Sequence, residues 1–544
     1  MLGLMMNRQL TITTIMEHAR KFHGDAEVVS VTADQPLYRY TYRECFARAA
    51  KLANALTRLG AKPGDRLGTL AWNDYRHLEV YFGSACMGLV CHTVNPRLFA
   101  EQIEYIVQHA GNRWLFVDPA FVPVLVPIQD RLPSVEAFVI LGPAAAAENT
   151  GLRDALSYES LIAGEPESFS WPDLDENSAC SLCYTSGTTG NPKGVLYSHR
   201  ALVLHTYATA MPDVMGLSQR EVVMPVVPMF HVHAWSIPYG AAVVGAKLVF
   251  PGPRMGDGET LQCLIESENV TMSAGVPTVW LALLAYLNRS GKKIPSLNRV
   301  VVGGSACPQA IMEEFESKHG VYTHHAWGMT EMSPLGTFNS PTRDMAELSH
   351  AEQWKLRTKV GRPVFGVDVK IVDAEGRELP WDGVAFGALK VRGPWVCSEY
   401  FRIGRGEAHA EDGWFETGDV ATIDAHGFIA ITDRTKDVIK SGGEWISSIE
   451  LENTAIAHPL VAEAAVIGAY HPRWSERPLL CVVREAGAAI SREEMLAWFD
   501  GKVAKWWIPE DVAFVDELPH TATGKISKKD LRDQFREYRF PEAD

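Results

Sequence analysis

The eleven residues from Tyr184 to Gly194 read YTSGTTGNPKG. They follow an apolar, strand-like run. Glycines at 187, 190 and 194 let a backbone approach an anion closely. The hydroxyls of Thr185, Ser186, Thr188 and Thr189 add hydrogen-bond donors, and Lys193 adds positive charge. A strand that opens into such a loop predicts a phosphate cradle. The spacing is not that of the G-x-x-x-x-G-K-[ST] loop. A flexible surface loop is the plain alternative.

Outward from this loop, strand and helix patterns alternate. Arg66–Trp72, Trp114–Val117, Ala137–Leu141, Val222–Val227 and Lys247–Phe250 read as strands. Thr41-Tyr-Arg-Glu44 fits a capping box, and Phe46, Leu52, Ala53, Leu56 and Leu59 recur at helical spacing behind it. Leu261–Glu268, Thr278–Asn288 and Gln309–Lys318 also read as helices. Such alternation predicts an α/β fold with parallel sheets covered on both faces. The apolar run Tyr81–Val94 reads as a buried helix. The polar stretch Asn149–Trp171 reads as a separator between two subdomains.

From about Gly361 the pattern turns to short strands: Val367–Val372, Ala388–Arg392 and Ala421–Ile423. After Asp433 it changes again. Ser447-Ser-Ile-Glu450 and Ser491-Arg-Glu-Glu494 are capping-box candidates among the strands Ala464–Ile467, Leu479–Val483 and Val512–Val515. The expected organisation is a large N-terminal domain, residues 1–433, of two parallel-sheet α/β subdomains plus a small β-rich one. A small α+β C-terminal domain, residues 434–544, follows it.

Composition narrows the function classes. The 544 residues are 47% hydrophobic and 22% charged, as in an ordinary globular enzyme. A formal net charge of −15 argues against a general nucleic-acid binder, which is usually basic. Nine scattered cysteines form no dense framework, and no secretory signal is evident, so a reducing cytoplasm is the expected compartment. Cys180 and Cys183 form a C-x-x-C, but no second ligand pair follows it. No run reads as a transmembrane segment.

Further motifs follow the glycine loop in a fixed order: PMFHVHAW (Pro228–Trp235), GGSACP (Gly303–Pro308), HAWGMTE (His325–Glu331), GWFETGD (Gly413–Asp419), DRTKDVIKSGGEWIS (Asp433–Ser447) and PHTATGKI (Pro519–Ile526). Together they resemble the adenylate-forming superfamily of acyl-CoA synthetases, peptide-synthetase adenylation domains and firefly-type luciferases. The resemblance runs along nearly the whole chain.

The resemblance implies ATP, Mg²⁺ and coenzyme A as ligands, and it distributes roles. Thr185, Ser186, Gly187, Thr188, Thr189, Gly190 and Lys193 would cradle phosphates. Gly303, Gly304 and Ser305 would form the platform on one face of adenine. Trp327, beside Gly328, would flank the other face, where a tyrosine is commoner; a flat π-face suits a purine. Thr330 and Glu331 form the TE pair. A carboxylate beside a triphosphate needs a cation between them, so Glu331 is expected at Mg²⁺ with Thr185 near it. Asp419 would accept from the ribose hydroxyls with Arg434 assisting. Lys440 is a further cofactor-binding candidate.

Further positions bear on the acid and the thiol. His231 would stand beside the acyl carboxylate and the CoA thiol, in a segment whose strand spacing puts His231 and His233 on one face. Trp235 occupies the place of a gate residue over the acyl tunnel, and Gly303 borders the same substrate. Trp445 belongs to a loop that reaches the site when the C-terminal domain turns about Lys436. Lys525 would bridge the substrate carboxylate and the α-phosphate as charge builds on phosphorus.

The implied reaction adenylates a small-molecule carboxylic acid and passes the acyl group to CoA, releasing pyrophosphate and AMP. HTVNPRL (His92–Leu98), FHVHAW and SGGEWIS resemble the branch of medium- and long-chain fatty acyl-CoA ligases, and bacterial ligases for 3-methylmercaptopropionate, a short thioether acid. The expected substrate is a short- to medium-chain acid. A long-chain fatty acyl-CoA synthetase, a luciferase-like oxygenase, a carrier-protein-loading enzyme and a nucleotide sensor are the competing readings. Related ligases are often dimers, which leaves a homodimer open.

Overall fold

The computed structural model describes every residue except 2, 186–190, 407, 411, 442–443, 486, 521–525 and 542–544, with the backbone alone at 444 and 445. The described residues fall into two compact units. The first comprises Met1–Thr185, Asn191–Asp368 and Arg392–Gly406; the second, Val369–Val391 and Glu407–Asp544.

Among the described residues, the first unit holds two large sheets. One runs in the order Ala155–Ser157, Ala137–Ile140, Asn112–Val117, Arg66–Leu70, Val90–Thr93, Ala179–Tyr184 and Gly194–Ser198. All neighbours are parallel except the last pair, which brackets the glycine loop as an antiparallel hairpin. The other runs Arg362–Pro363, Leu335–Phe338, Tyr322–Gly328, Arg299–Val302, Met272–Gly275, Val222–Pro225, Lys247–Phe250, Glu27–Ser30 and Tyr38–Thr41. Its six inner strands are parallel and its edges antiparallel.

Helices pack their apolar faces over these strands. Tyr42–Arg58 starts at the reciprocal capping box of Thr41 and Glu44, and its apolar stripe is buried. Trp280, on the helix Pro277–Ser290, is fully buried in a core with Val300, Val302 and Phe315. A buried side chain of this size contributes about 2–3 kcal/mol. Polar ties also run through this unit. Arg76, 2% exposed, pairs with Asp34 at 2.9 Å and Glu159 at 2.8 Å, while Arg48 pairs with the buried Glu79 at 2.8 Å.

Three readings change here. The run from Tyr81 to Val94 is not one helix. Tyr75–Cys86 ends the helix, Gly88 turns the chain at φ +88°, and Val90–Thr93 is a buried strand. A short apolar run does not tell a helix from a buried strand, and the glycine decides it. The stretch Asn149–Trp171 is not a separator, because Ala155–Ser157 is an edge strand of the first sheet and Tyr158–Ile162 a helix. The helix read as Gln309–Lys318 is α-helical over Gln309–Glu314 and closes in a wider π-turn over Phe315–His319.

The second unit has two smaller sheets. Asp368–Val372, Phe386–Arg392, Phe415–Ile423 and Ile429–Arg434 form one, with its last three strands antiparallel. Val461–His471 and Ser475–Arg484 form a long hairpin at the centre of the other, flanked by Ile439–Ser441, Glu444–Ile446 and Asp511–Phe514. Helices Ser448–Ile456 and Lys528–Gln534 pack against that hairpin. Ser491 and Glu494 form the reciprocal box expected of them; Ser447 caps Glu450 one way only. No described helix is long and apolar enough to cross a membrane.

Candidate active site

In the first unit, the PMFHVHAW segment is not a strand. Val232, His233, Ala234, Trp235 and Ser236 all have positive φ, from 46° to 59°. Five consecutive left-handed residues make a turn of the wrong hand for L-amino acids, at about 1–2 kcal/mol each. That corrects the expectation that His231 and His233 share a face. His231 is exposed. His233 is 1% exposed, its Nε2 hydrogen-bonded to the Ser181 hydroxyl, and burial pushes its pKa down to about 3.

The turn fixes Trp235, whose indole lies on the backbone of Gly303. A β-carbon at 303 would stand 2.8 Å from Trp235 Cη2 and 3.2 Å from the Ala326 carbonyl oxygen. A β-carbon there would force the ring to move. The structure thus brings Trp235 and Gly303 together. Trp327 lies at the end of Tyr322–Gly328 and is half-buried, with Gly336 of the neighbouring strand under its ring. Gly328 is held so close to the Pro334 carbonyl that a β-carbon would come within 2.0 Å of it. Gly304 and Ser305 are exposed at the end of Arg299–Val302.

Glu331 is buried with Thr330 in a short turn after the strand Tyr322–Gly328. Its Oε1 accepts a 2.8 Å hydrogen bond from the Tyr400 hydroxyl, and its carbonyl accepts the Cys397 N–H at 2.8 Å. Burial and the Glu331 carboxylate both raise the Tyr400 pKa, so the phenol keeps its proton and donates. Lys193 Nζ sits 4.8 Å over the Tyr400 ring. Thr185 is tied to Lys193 twice: its N–H donates to the Lys193 carbonyl at 3.0 Å, and its hydroxyl accepts the Lys193 N–H at 3.1 Å. Both ends of the glycine loop are therefore pinned. Residues Ser186, Gly187, Thr188, Thr189 and Gly190 lie outside the described residues.

In the second unit, Asp419 and Arg434 face each other on adjacent antiparallel strands. Arg434 Nε meets Asp419 Oδ1 at 2.9 Å, with Asp419 5% exposed and Arg434 50% exposed at the side chain. The half-open guanidinium orients the buried carboxylate. Lys436 and Lys440 are exposed. Lys525 and the side chain of Trp445 lie outside the described residues.

Tyr400 was not singled out by the sequence reading. It sits in PWVCSEYFR, where no glycine, charge cluster or spacing marks it. Its significance comes from a fold contact 69 residues away in sequence.

Residues 15–401 match the family model described as AMP-binding enzyme, and residues 450–525 match the model of its C-terminal domain. The chain belongs to the AMP-binding enzymes. A 3-methylmercaptopropionyl-CoA ligase of Ruegeria lacuscaerulensis is 52% identical over 537 residues, 99% of each chain. A medium-chain-fatty-acid–CoA ligase of Ectopseudomonas oleovorans is also 52% identical, over 98% of each chain. Among solved structures, the anthranilate CoA ligase AuaEII in complex with anthranoyl-AMP matches with a TM-score of 0.84 and 26% identity over 98% of each chain. This AMP-binding enzyme is an acid–CoA ligase that works through an acyl-adenylate.

Proposed function

We propose that the acid is a short- to medium-chain carboxylate such as 3-methylmercaptopropionate. The observation that supports this is the seat of Trp235 on Gly303, a flat aromatic face that would suit the side of an acyl chain. A thioether sulfur packs well against such a ring. The relatives named for 3-methylmercaptopropionate and for medium-chain fatty acids support the same range. Pocket discrimination per methylene is modest, about 1–3 kcal/mol, so a broad preference is expected.

The roles proposed for the chain's residues follow the chemistry of each step. The glycine loop with Lys193 holds the phosphates of ATP, and Trp327 with Gly303, Gly304 and Ser305 holds adenine. Asp419, oriented by Arg434, accepts from the ribose hydroxyls. Glu331 and Thr185 offer the oxygen ligands that Mg²⁺ takes, and the hydrogen bond from Tyr400 keeps the Glu331 carboxylate turned one way. When bound, Mg²⁺ would offset the charge of the phosphates. As the acid's carboxylate attacks the α-phosphorus and pyrophosphate leaves, the Lys525 ammonium stabilises the charge building there. The CoA thiolate, the nucleophilic form of its thiol, then attacks the acyl carbon beside His231, and AMP leaves.

The two steps need different surroundings at one carbon. We assign the change to rotation of residues 434–544 against residues 1–433 about Lys436, which would carry Lys525 away and Trp445 and Lys440 in. The test is CoA-dependent pyrophosphate release with 3-methylmercaptopropionate, butyrate, hexanoate, octanoate and palmitate. The expected result is the highest kcat/KM among the first four. Palmitate as the best substrate would move the chain to the long-chain ligases.

A further inference from the structure

His205 lies on the helix His199–Ala210 and is completely buried. Both its ring nitrogens are used. Nε2 accepts the Leu335 N–H at 3.0 Å, and Nδ1 lies 3.0 Å from the Ser236 hydroxyl. A backbone N–H can only donate, so Nε2 is the bare nitrogen and the single proton of the neutral ring sits on Nδ1. Burial keeps the ring neutral, with its pKa pushed down to about 3.

The two partners are what matter. Ser236 is the last residue of the left-handed turn, directly after Trp235. Leu335 opens the strand that pairs with Tyr322–Gly328, beyond the turn carrying Glu331. Leu335 is held from its other side as well: its carbonyl accepts the Trp395 indole N–H at 3.1 Å, and the Ser333 hydroxyl donates to the Trp395 carbonyl at 3.0 Å. The edge of Trp395 in turn meets the His205 ring, centroids 5.8 Å apart. One imidazole therefore fastens the acyl wall on one nitrogen and the Glu331 segment on the other.

We infer that His205 is a positioning residue that sets acyl selectivity through Ser236 and metal-dependent nucleotide binding through Leu335. The inference rests on the proposed placing of the acid beside Trp235 and of Mg²⁺ beside Glu331. Its two bonds separate by side-chain length. In His205→Asn the amide nitrogen can replace Nδ1–H toward Ser236 but leaves Leu335 without its acceptor. In His205→Gln the amide oxygen can replace Nε2 toward Leu335 but drops Ser236. Ser236→Ala removes the first bond from its other end without touching the histidine.

The experiment measures kcat/KM for the two best acids of the wild type, and, by calorimetry without acid or CoA, the Mg²⁺ concentration at the midpoint of ATP binding, in the full-length wild type and the three variants. His205→Gln and Ser236→Ala are expected to shift the ratio between the two acids by about fivefold, the weight of one net hydrogen bond, with the Mg²⁺ midpoint unchanged. His205→Asn is expected to raise that midpoint by about fivefold and leave the ratio alone. An equal loss of rate with both acids and no change in midpoint would make His205 a packing residue and overturn the inference. If the histidine variants do not fold, an unchanged ratio in Ser236→Ala overturns it and a shifted one supports it. Because the acids are chosen as the wild type's best, a wrong substrate class sinks the pocket reading while the coupling still reads out.

Discussion

The Tyr400 hydroxyl donates to Glu331 Oε1 at 2.8 Å while the same ring carries the Lys193 ammonium 4.8 Å from its centre. The phenol thus ties the expected metal carboxylate to the expected phosphate lysine. Removing the hydroxyl leaves the ring, and with it the seat for Lys193. Tyr400→Phe is therefore expected to act on Glu331 alone. A hydrogen bond to a charged group weighs about 1.5–3 kcal/mol, so the Mg²⁺ concentration at half-maximal rate should rise at least tenfold. A magnesium titration of pyrophosphate release checks it. An unchanged midpoint would remove Glu331 from the metal.

Gly303→Ala tests the seat of Trp235. The added β-carbon would stand 2.8 Å from the indole, too close to stay without movement. Overpacking of this kind costs about 1–3 kcal/mol. The expected outcome is a drop of about tenfold or more in kcat/KM for the preferred acid. Trp235→Phe removes the clashing ring edge, so the double variant should recover part of the loss. Strictly additive effects in the double-mutant cycle would show that the two residues do not share a site.

Much of this was legible in the sequence, and the misses have physical causes. The glycine loop, Glu331 and the Asp419–Arg434 pair are named by motifs; of the strands beside them, the sequence pattern shows only the apolar run before the loop and the Ala421–Ile423 end of Phe415–Ile423, while Tyr322–Gly328 and Ile429–Arg434 carry no such signal. The PMFHVHAW segment was read at strand spacing because no glycine marks its turn; a left-handed run of ordinary residues leaves no local signature. His205 and Tyr400 were missed because each acts through partners more than sixty residues away in one direction at least. Only folding brings such partners together. Gly88 is the opposite case, a single residue whose positive φ divides the run from Tyr81 to Val94 into helix and strand.

Stability should carry a pH signature from Asp74. This residue caps the helix Tyr75–Cys86 by accepting the His77 N–H at 2.9 Å, and it is 2% exposed. Burial, with Asp118 nearby, pushes its pKa up to about 7. In the unfolded chain the carboxyl titrates near about 4. Between these values the unfolded state releases the proton and the folded state keeps it, so stability is full below about pH 4 and declines as pH rises toward about 7. Asparagine caps a helix as well as aspartate does and does not titrate. Asp74→Asn should therefore flatten this decline, gaining more in Tm over wild type at pH 8 than at pH 4.5. Parallel Tm curves for the two proteins would show that Asp74 keeps an ordinary pKa.

The rotation proposed about Lys436 can be tested within the second unit. Lys436 lies between the strand ending at Arg434 and the strand Ile439–Ser441. Hydrogen bonds join residues on its two sides. The Asp433 carboxylate accepts the Ser448 N–H at 2.5 Å and the Ser448 hydroxyl at 2.7 Å, and the Ser447 hydroxyl donates to the Thr432 carbonyl. Lys528 braces the same point, donating to the Ser448 hydroxyl at 2.5 Å and pairing with Glu452 at 2.8 Å. A turn about Lys436 has to break these contacts, so they form a latch on the arrangement described. Lys436→Pro fixes φ near about −65° at a residue whose dihedrals must change. One half-reaction should survive and the other fall by about a hundredfold or more, as read by pyrophosphate release for adenylation and by thioester formation from presynthesised acyl-adenylate and CoA. Ser448→Ala loosens the latch without locking the hinge, and should shift the ratio of the two rates while preserving both. Wild-type rates in both steps for Lys436→Pro would place the pivot at another residue.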